Sequence, residues 1–222
     1  MKKILLINAS PRQKGTSFVL AQMCKEYLES RGHHIKLIHL YPSLNNLDNL
    51  YRAVEEADTL ILSGPCYINT YPADTIALLE ELAARKELLH GKSLYGIIQG
   101  GMPYVHTHES GLSLLEMFSK KCNISFKGGF VMGMGAILNG QPITKLPNSK
   151  KIIRQLYIFF DHIEKNEVSP RQVYQAAQLK MPGFIYSIMA RIMNRTIDKD
   201  LLKHGIDVKQ ASPYLVSTNN KP

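Results

Sequence analysis

Cysteine is scarce in this 222-residue sequence: Cys24, Cys66 and Cys122 stand far apart, and no two form a Cys-x-x-Cys pair. That spacing excludes an iron–sulfur cluster or zinc site built from them, and an odd, sparse count fits free thiols in a reducing compartment. Long hydrophobic runs are missing too. No stretch approaches the ~18 apolar residues of a membrane-spanning helix. The opening MKKILLINAS has only four apolar residues before Asn8, against roughly 7–15 in a secretory core. The expected location is the cytoplasm. Tryptophan is absent, which by itself excludes nothing. With 45% hydrophobic and 20% charged residues, disorder is excluded as the main state, and the length suffices for a sizeable core.

Acidic residues are short in one part only. The formal net charge is +9, yet residues 1–144 hold 14 basic against 12 acidic side chains and residues 145–222 hold 13 against 6. A balanced body with a basic tail argues against a nucleic-acid-binding protein.

What is present is an alternation. Lys3–Ile7, His34–Leu40, Thr59–Ser63, Ser93–Ile98 and Phe126–Met132 are short and apolar, and read as strands. Phe18–Ser30, Asp74–Leu89, Gly111–Lys121 and Ser149–Lys165 carry apolar residues at helical spacing. Strands alternating with helices predict a parallel sheet covered on both faces, an α/β fold with right-handed crossovers. Gly32, Gly91 and Gly128 are expected to punctuate boundaries. The expected organisation is one domain over residues 1–168 and a helical C-terminal extension over 169–222, with 217–222 a loose end.

The informative segment is Asn8-Ala9-Ser10-Pro11-Arg12-Gln13-Lys14-Gly15-Thr16-Ser17, leaving the first strand for the first helix. The N–H groups and dipole of a helix start favour an anion there. Ser10, Thr16 and Ser17 add hydroxyls, Arg12 a charge-assisted donor, and Gly15 a close approach. A dinucleotide fingerprint fails, because only one glycine is present and the second strand ends His39-Leu40-Tyr41-Pro42 without an acid. A Walker loop fails because Lys14 precedes Gly15. A single phosphate monoester remains, as FMN presents; the plainer alternative is a helix capped by Ser or Thr.

Two further loops follow strands: Ser63-Gly64-Pro65-Cys66-Tyr67-Ile68-Asn69-Thr70-Tyr71-Pro72 and Gln99-Gly100-Gly101-Met102-Pro103-Tyr104. In an open sheet, ligands bind beyond the strands' carboxyl ends, and a strand order of 2-1-3-4-5 brings all three loops together there.

The Ser-Pro-Arg-x-x-Gly-x-Ser turn, the Pro-x-Tyr-x-x-x-x-Pro loop and the Gly-Gly loop resemble the NADPH-dependent FMN reductase family over roughly residues 1–165. Gly15-Thr16-Ser17 departs mildly from that family's frequent Gly-Asn-Thr/Ser. The resemblance implies a flavodoxin-like three-layer sandwich with a five-stranded parallel sheet. It implies an FMN-dependent oxidoreductase that carries electrons from NAD(P)H to a small acceptor such as a quinone, nitroaromatic, azo compound or flavin. Ser10, Arg12, Thr16 and Ser17 would then hold the phosphate. Pro65, Tyr67, Ile68 and Asn69 would line the isoalloxazine and ribityl chain. Gln99, Gly100 and Gly101 would close the other side, the last two offering amides to the flavin. Cys66 sits within this cofactor loop, its thiol expected to be buried rather than redox-active. No residue is assigned as an acid, base or nucleophile, and no metal is expected. Family members are usually homodimers. The rival functions are a non-catalytic flavodoxin-type carrier, which the basic isoelectric point disfavours, and a flavin-free binding module.

His106-Thr107-His108-Glu109 holds metal-ligand residue types, but no third ligand is placed by spacing, and a helix start with Thr107 or Glu109 capping is expected. Phe184, Ile188 and Ile192, beside Arg191 and Arg195, form an apolar stripe at helical spacing. A membrane-surface helix is one reading of it; packing on the domain or on a dimer partner is favoured. The basic surplus could also attract the phosphates of NADPH.

Overall fold

The computed structural model describes residues 1–178 and 182–206. The chain divides into two compact units, Met1–Leu179 and Lys180–Pro222. In order, the elements are β1 (Lys3–Asn8), α1 (Thr16–Ser30), β2 (His34–His39), the single turn α2 (Leu40–Ser43), α3 (Asp48–Glu56), β3 (Thr59–Pro65), α4 (Ala73–Ala84), β4 (Ser93–Gln99), α5 (His106–Cys122), β5 (Ser125–Met132), α6 (Ser149–Lys165), α7 (Arg171–Ala177) and α8 (Gly183–Lys203). The loose end expected at 217–222 lies outside the described residues.

The five strands form one sheet in the order β2-β1-β3-β4-β5, all neighbours parallel. Each of the five apolar segments becomes a strand, and every residue of β3 and β4 is buried. That is the signature of a parallel sheet covered on both faces. From β1 the chain crosses outward to β2, then reverses past β1 to β3; right-handed crossovers therefore send α1 to one face and α3, α4 and α5 to the other. In agreement, α1 packs against α6, and α4 against α5. The reversal lies between β1 and β3, and their loops diverge there to open a crevice.

The core is continuous from Ile4, Leu5 and Leu6 through Ile61, Tyr95, Ile97, Phe130, Phe159 and Phe160. Tyr95 and Phe130 each meet Phe159, with ring centroids 6.1 and 5.9 Å apart. Each such buried ring contributes roughly 1.5–3 kcal/mol by leaving water. Two lysines close helix ends. Lys92 Nζ donates to the carbonyls of Glu55 (2.9 Å) in the last turn of α3 and Ala57 (2.5 Å) just after it, and Lys2 Nζ donates to that of Glu164 (2.6 Å) in α6. Free carbonyls at a helix C-terminus favour such cations.

Three features differ from the sequence reading. A helix that reading did not identify, α3, fills the crossover from β2 to β3, with Leu50, Ala53 and Val54 turned inward. Helix α5 starts at His106, as expected for the His106–Glu109 segment, but five positions before the apolar spacing at Gly111–Lys121, with buried His108 in its first turn. Gly128 lies inside β5 rather than at a boundary: at φ 89° it bridges Ser169, and an added Cβ would stand 2.6 Å from the Ser169 carbonyl.

That bridge begins a covering of the sheet's β5 edge. Ser169 N–H donates to the Lys127 carbonyl (2.8 Å), α7 packs on β5 and α6, and Gln178 accepts from Gly133 N–H (3.0 Å) and donates to the Val131 carbonyl (2.8 Å). An unprotected edge invites pairing with other chains, and this segment removes it. The first unit thus includes α7. In the second unit, α8 is a helix of 21 residues. Among the described residues, no helix is long and apolar enough to cross a membrane.

Candidate functional site

At the carboxyl ends of β1, β3 and β4 the three loops meet around one cleft, lined by Ser10, Arg12, Gly15, Thr16, Pro65, Cys66, Tyr67, Gln99, Gly100, Gly101 and Ala136. Nine of the twelve residues expected at a cofactor line it. Ser17 stands just behind the wall, where its hydroxyl accepts from Gln99 Nε2 (3.3 Å). Ile68 and Asn69 lie outside the wall, at the tip of the β3 loop. A larger hollow of about 340 Å³ lies at the opposite, amino end of β1 and β2. It has no helix start aimed into it, and open sheets bind ligands at the other end.

The first turn is shaped from within. Buried Asn8 accepts the Ser10 N–H on Oδ1 (3.3 Å), while its Nδ2 donates to His39 Nδ1 (2.9 Å). Ser10 Oγ accepts the Arg12 N–H (3.2 Å). Such short polar side chains fold the backbone back on itself, here just before α1. The N-cap is Gly15, with no side-chain cap bond and no acid in the first turn. The capped-helix alternative is therefore incorrect: Thr16 and Ser17 fall inside the first turn, and the helix start keeps its positive potential. A Cβ on Gly15 would point into the concavity, 3.5 Å from Arg12 Cβ and 3.6 Å from Ser10 Oγ.

Thr16 does something the sequence did not indicate. Its hydroxyl donates to the Gly135 carbonyl (2.9 Å) and accepts from Gly140 N–H (3.5 Å). It ties down the loop after β5 instead of pointing at a ligand. Arg12 Nη1 donates to Asn139 Oδ1 in the same loop (2.7 Å). Gly135, Ala136, Asn139 and Gly140 were absent from the expected site. Their signal was legible: Gly133-Met-Gly135-Ala and Asn139-Gly140 follow the fifth strand, at the same carboxyl edge that singled out the other loops.

The two tyrosines of the β3 loop part company. Tyr67 sits exposed at the lip, while Tyr71 is wholly buried beneath Gly64, its hydroxyl facing the carbonyls of Leu62 and Ile97. Burial pushes the Tyr71 hydroxyl far above the usual tyrosine range. Between them Tyr67 and Thr70 exchange backbone hydrogen bonds (2.7 and 3.2 Å) around Ile68 and Asn69, both at positive φ. Cys66 is only half-buried in the cleft wall, less covered than expected, and that partial burial raises its thiol above the usual range. Of the two β4-loop glycines, Gly100 uses its N–H on the Met132 carbonyl (3.1 Å). That amide cannot serve a flavin as expected, which leaves Gly101.

His108 is no cap and no metal ligand. Its ring lies buried against Gly100, with Nε2 donating to the Met102 carbonyl (3.0 Å). Thr107 Oγ1 turns back to the Tyr104 carbonyl (2.6 Å), and Glu109 pairs with Arg171 and Tyr174. The expected capping by Thr107 or Glu109 is thus replaced by loop and interhelix bonds. Among the described residues no His, Cys, Asp and Glu cluster could hold a metal ion.

The cleft fits a flavin phosphate on its own terms. A helix start, an arginine and a serine hydroxyl converge around Gly15. Gln99, 6% exposed, leaves Oε1 without a partner in the wall. A buried acceptor of that kind calls for a donor such as a hydroxyl.

The fold recurs in solved structures. An NADH:FMN oxidoreductase in its apo form superimposes with a TM-score of 0.60 at 22% identity, covering 78% of this chain and 94% of that one. A short-chain flavodoxin associated with a bacterial microcompartment gives 0.54 at 13%, covering 75% and 99%. An azoreductase from Bacillus anthracis gives 0.52 at 12%, covering 75% and 98%. No curated protein sequence matches. Residues 2–119, more than half of the chain, match the family described as NADPH-dependent FMN reductase. With the sheet order and the cleft in agreement with that match, the protein belongs to the NADPH-dependent FMN reductases, flavin-dependent oxidoreductases that use FMN and NAD(P)H.

Proposed function

We propose that the protein binds FMN with its phosphate at the start of α1 and passes electrons from NAD(P)H to a small planar acceptor, such as a quinone, nitroaromatic, azo compound or free flavin. The observation that carries this reading is the uncapped, acid-free start of α1, facing a cleft shared by three loops. When bound there, FMN would supply the redox chemistry, hydride uptake from a nicotinamide and two-electron reduction of an acceptor with protons from solvent.

The chain's own residues provide placement. Ser10 and Arg12, with the N–H groups of Thr16 and Ser17, hold the phosphate. Gln99 accepts from the ribityl chain through Oε1. Pro65, Cys66 and Tyr67 form one wall, continued outward by Ile68 and Asn69, and Gly100 and Gly101 form the other. The Gly101 amide is the donor available to stabilise negative charge on a reduced ring. No side chain serves as general acid, and protons come from solvent. A homodimer, on family grounds, in a reducing, cytoplasmic compartment that the sparse free cysteines suit, completes the reading.

The test is an anaerobic titration of the purified, FMN-loaded protein with NADH and with NADPH, followed by a panel of acceptors. Loss of the visible flavin absorbance with either nicotinamide, and its return on adding an acceptor, is the expected result. A yellow protein that neither nicotinamide bleaches is a carrier, and a protein that ignores added FMN is neither.

A further inference from the structure

The loop after β5 touches the phosphate turn at three points. Thr16 Oγ1 donates to the Gly135 carbonyl, Gly140 N–H donates to Thr16 Oγ1, and Arg12 donates to Asn139 across 127 sequence positions. The loop backbone is shaped for this approach. Asn139 and Gly140 stand at φ 45° and 82°, and a Cβ on Gly140 would be 2.1 Å from the Lys14 carbonyl. Asparagine is among the few side-chain-bearing residues at ease in that conformation.

Resting on the phosphate reading above, we propose that Asn139 is a positioning residue for Arg12, pre-setting its guanidinium for the flavin phosphate and making the β5–α6 loop a second wall of that site. An exposed arginine samples many rotamers and loses that freedom when it binds an anion. The Asn139 carbonyl oxygen takes one of the five guanidinium N–H groups and restricts the side chain in advance. A neutral amide does this without cancelling the charge. An aspartate would pair with Arg12 and set a negative charge beside the phosphate.

Asn139→Gly tests this cleanly, since glycine tolerates the positive φ and only the amide is lost. Binding of FMN and of riboflavin, which has the same ring without the phosphate, is measured by quenching of flavin fluorescence. Asn139→Gly weakens FMN by about 3- to 10-fold, the cost of immobilising one free side chain, and leaves riboflavin unchanged. Asn139→Asp weakens FMN further and again spares riboflavin; it keeps the test open should the glycine variant not fold. In an Arg12→Ala background, Asn139→Gly has no further effect. Equal losses for FMN and riboflavin, an unchanged FMN affinity, or the same FMN loss in the Arg12→Ala background would each overturn the inference while FMN binding itself stands. A parent protein that binds no FMN overturns the reading beneath it instead.

Discussion

Gly100 lies flat against the imidazole of His108: a Cβ at position 100 would stand 2.2 Å from His108 Cε1 and 2.6 Å from Nδ1. The ring is only 2% exposed and has nowhere to retreat. Its hydrogen bond to the Met102 carbonyl holds the β4 loop beside the cleft. Gly100→Ala therefore overpacks the site and costs about 1–3 kcal/mol. His108→Ala opens the needed space, so the double variant loses less than the two single losses combined. Urea denaturation of the four proteins measures this; strict additivity would mean that the two residues are independent.

The hydroxyl of Thr16 holds a loop. Thr16→Val keeps the shape and leaves the buried Gly135 carbonyl without its donor, a loss of about 1–3 kcal/mol. Thr16→Ser retains most of it. Melting of the flavin-free protein reads the effect. A valine variant as stable as the parent, but poor in FMN binding, would instead make the hydroxyl a phosphate ligand.

Ile68 is 98% exposed and sits at φ 48°, a conformation that β-branched residues avoid. With Asn69 also at positive φ, the turn has the form that favours Asn at its first central position. Ile68→Asn relieves backbone strain of about 1 kcal/mol, raising the melting temperature by about 2–4 °C. Calorimetry decides it, and a lower melting temperature contradicts the strain assignment.

The carboxylate of Glu109 joins α5 to α7 through Arg171 Nε (2.7 Å) and Tyr174 OH (2.8 Å). Burial alone would raise its pKa, but the bonds from Arg171 and Tyr174 outweigh burial and hold it below the usual carboxylate range. A carboxyl more acidic when folded stabilises the protein fully above its unfolded pKa of about 4.3. That stability is lost as the pH falls through the lower folded value. Glu109→Gln should flatten this acid limb and leave the neutral-pH chemistry unchanged, as stability measured between neutral and acidic pH would show. An unaltered acid limb places the titration elsewhere.

The strands were legible because a doubly covered parallel sheet writes its core as short apolar runs, and the cleft's first loop because anion binding demands small polar residues at a helix start. Less was legible where a side chain's partner lies far along the chain. Thr16 and Arg12 were identified as polar residues at the right place, but their bonds go to residues more than a hundred positions away. Tyr67 and Tyr71 are alike in type and only four apart. A hairpin between them sends one to the lip and the other into the core. Helix α3 is not legible in the sequence because its nine residues hold too few apolar positions to display a period.

The chain by itself determined the strands, their parallel α/β arrangement and the loops that follow them, since hydrophobic spacing is a local property; the order that brings the three loops to one edge was only implied by the family resemblance, and the sheet itself decides it. Only the tertiary structure decided which donors in that cleft are free and which already serve the protein. The Gly100 amide and the Thr16 hydroxyl are taken by Met132 and Gly135, and Arg12 is held by Asn139. Hydrogen-bond partners are chosen by proximity in space, and a linear sequence does not encode that pairing until the loops close.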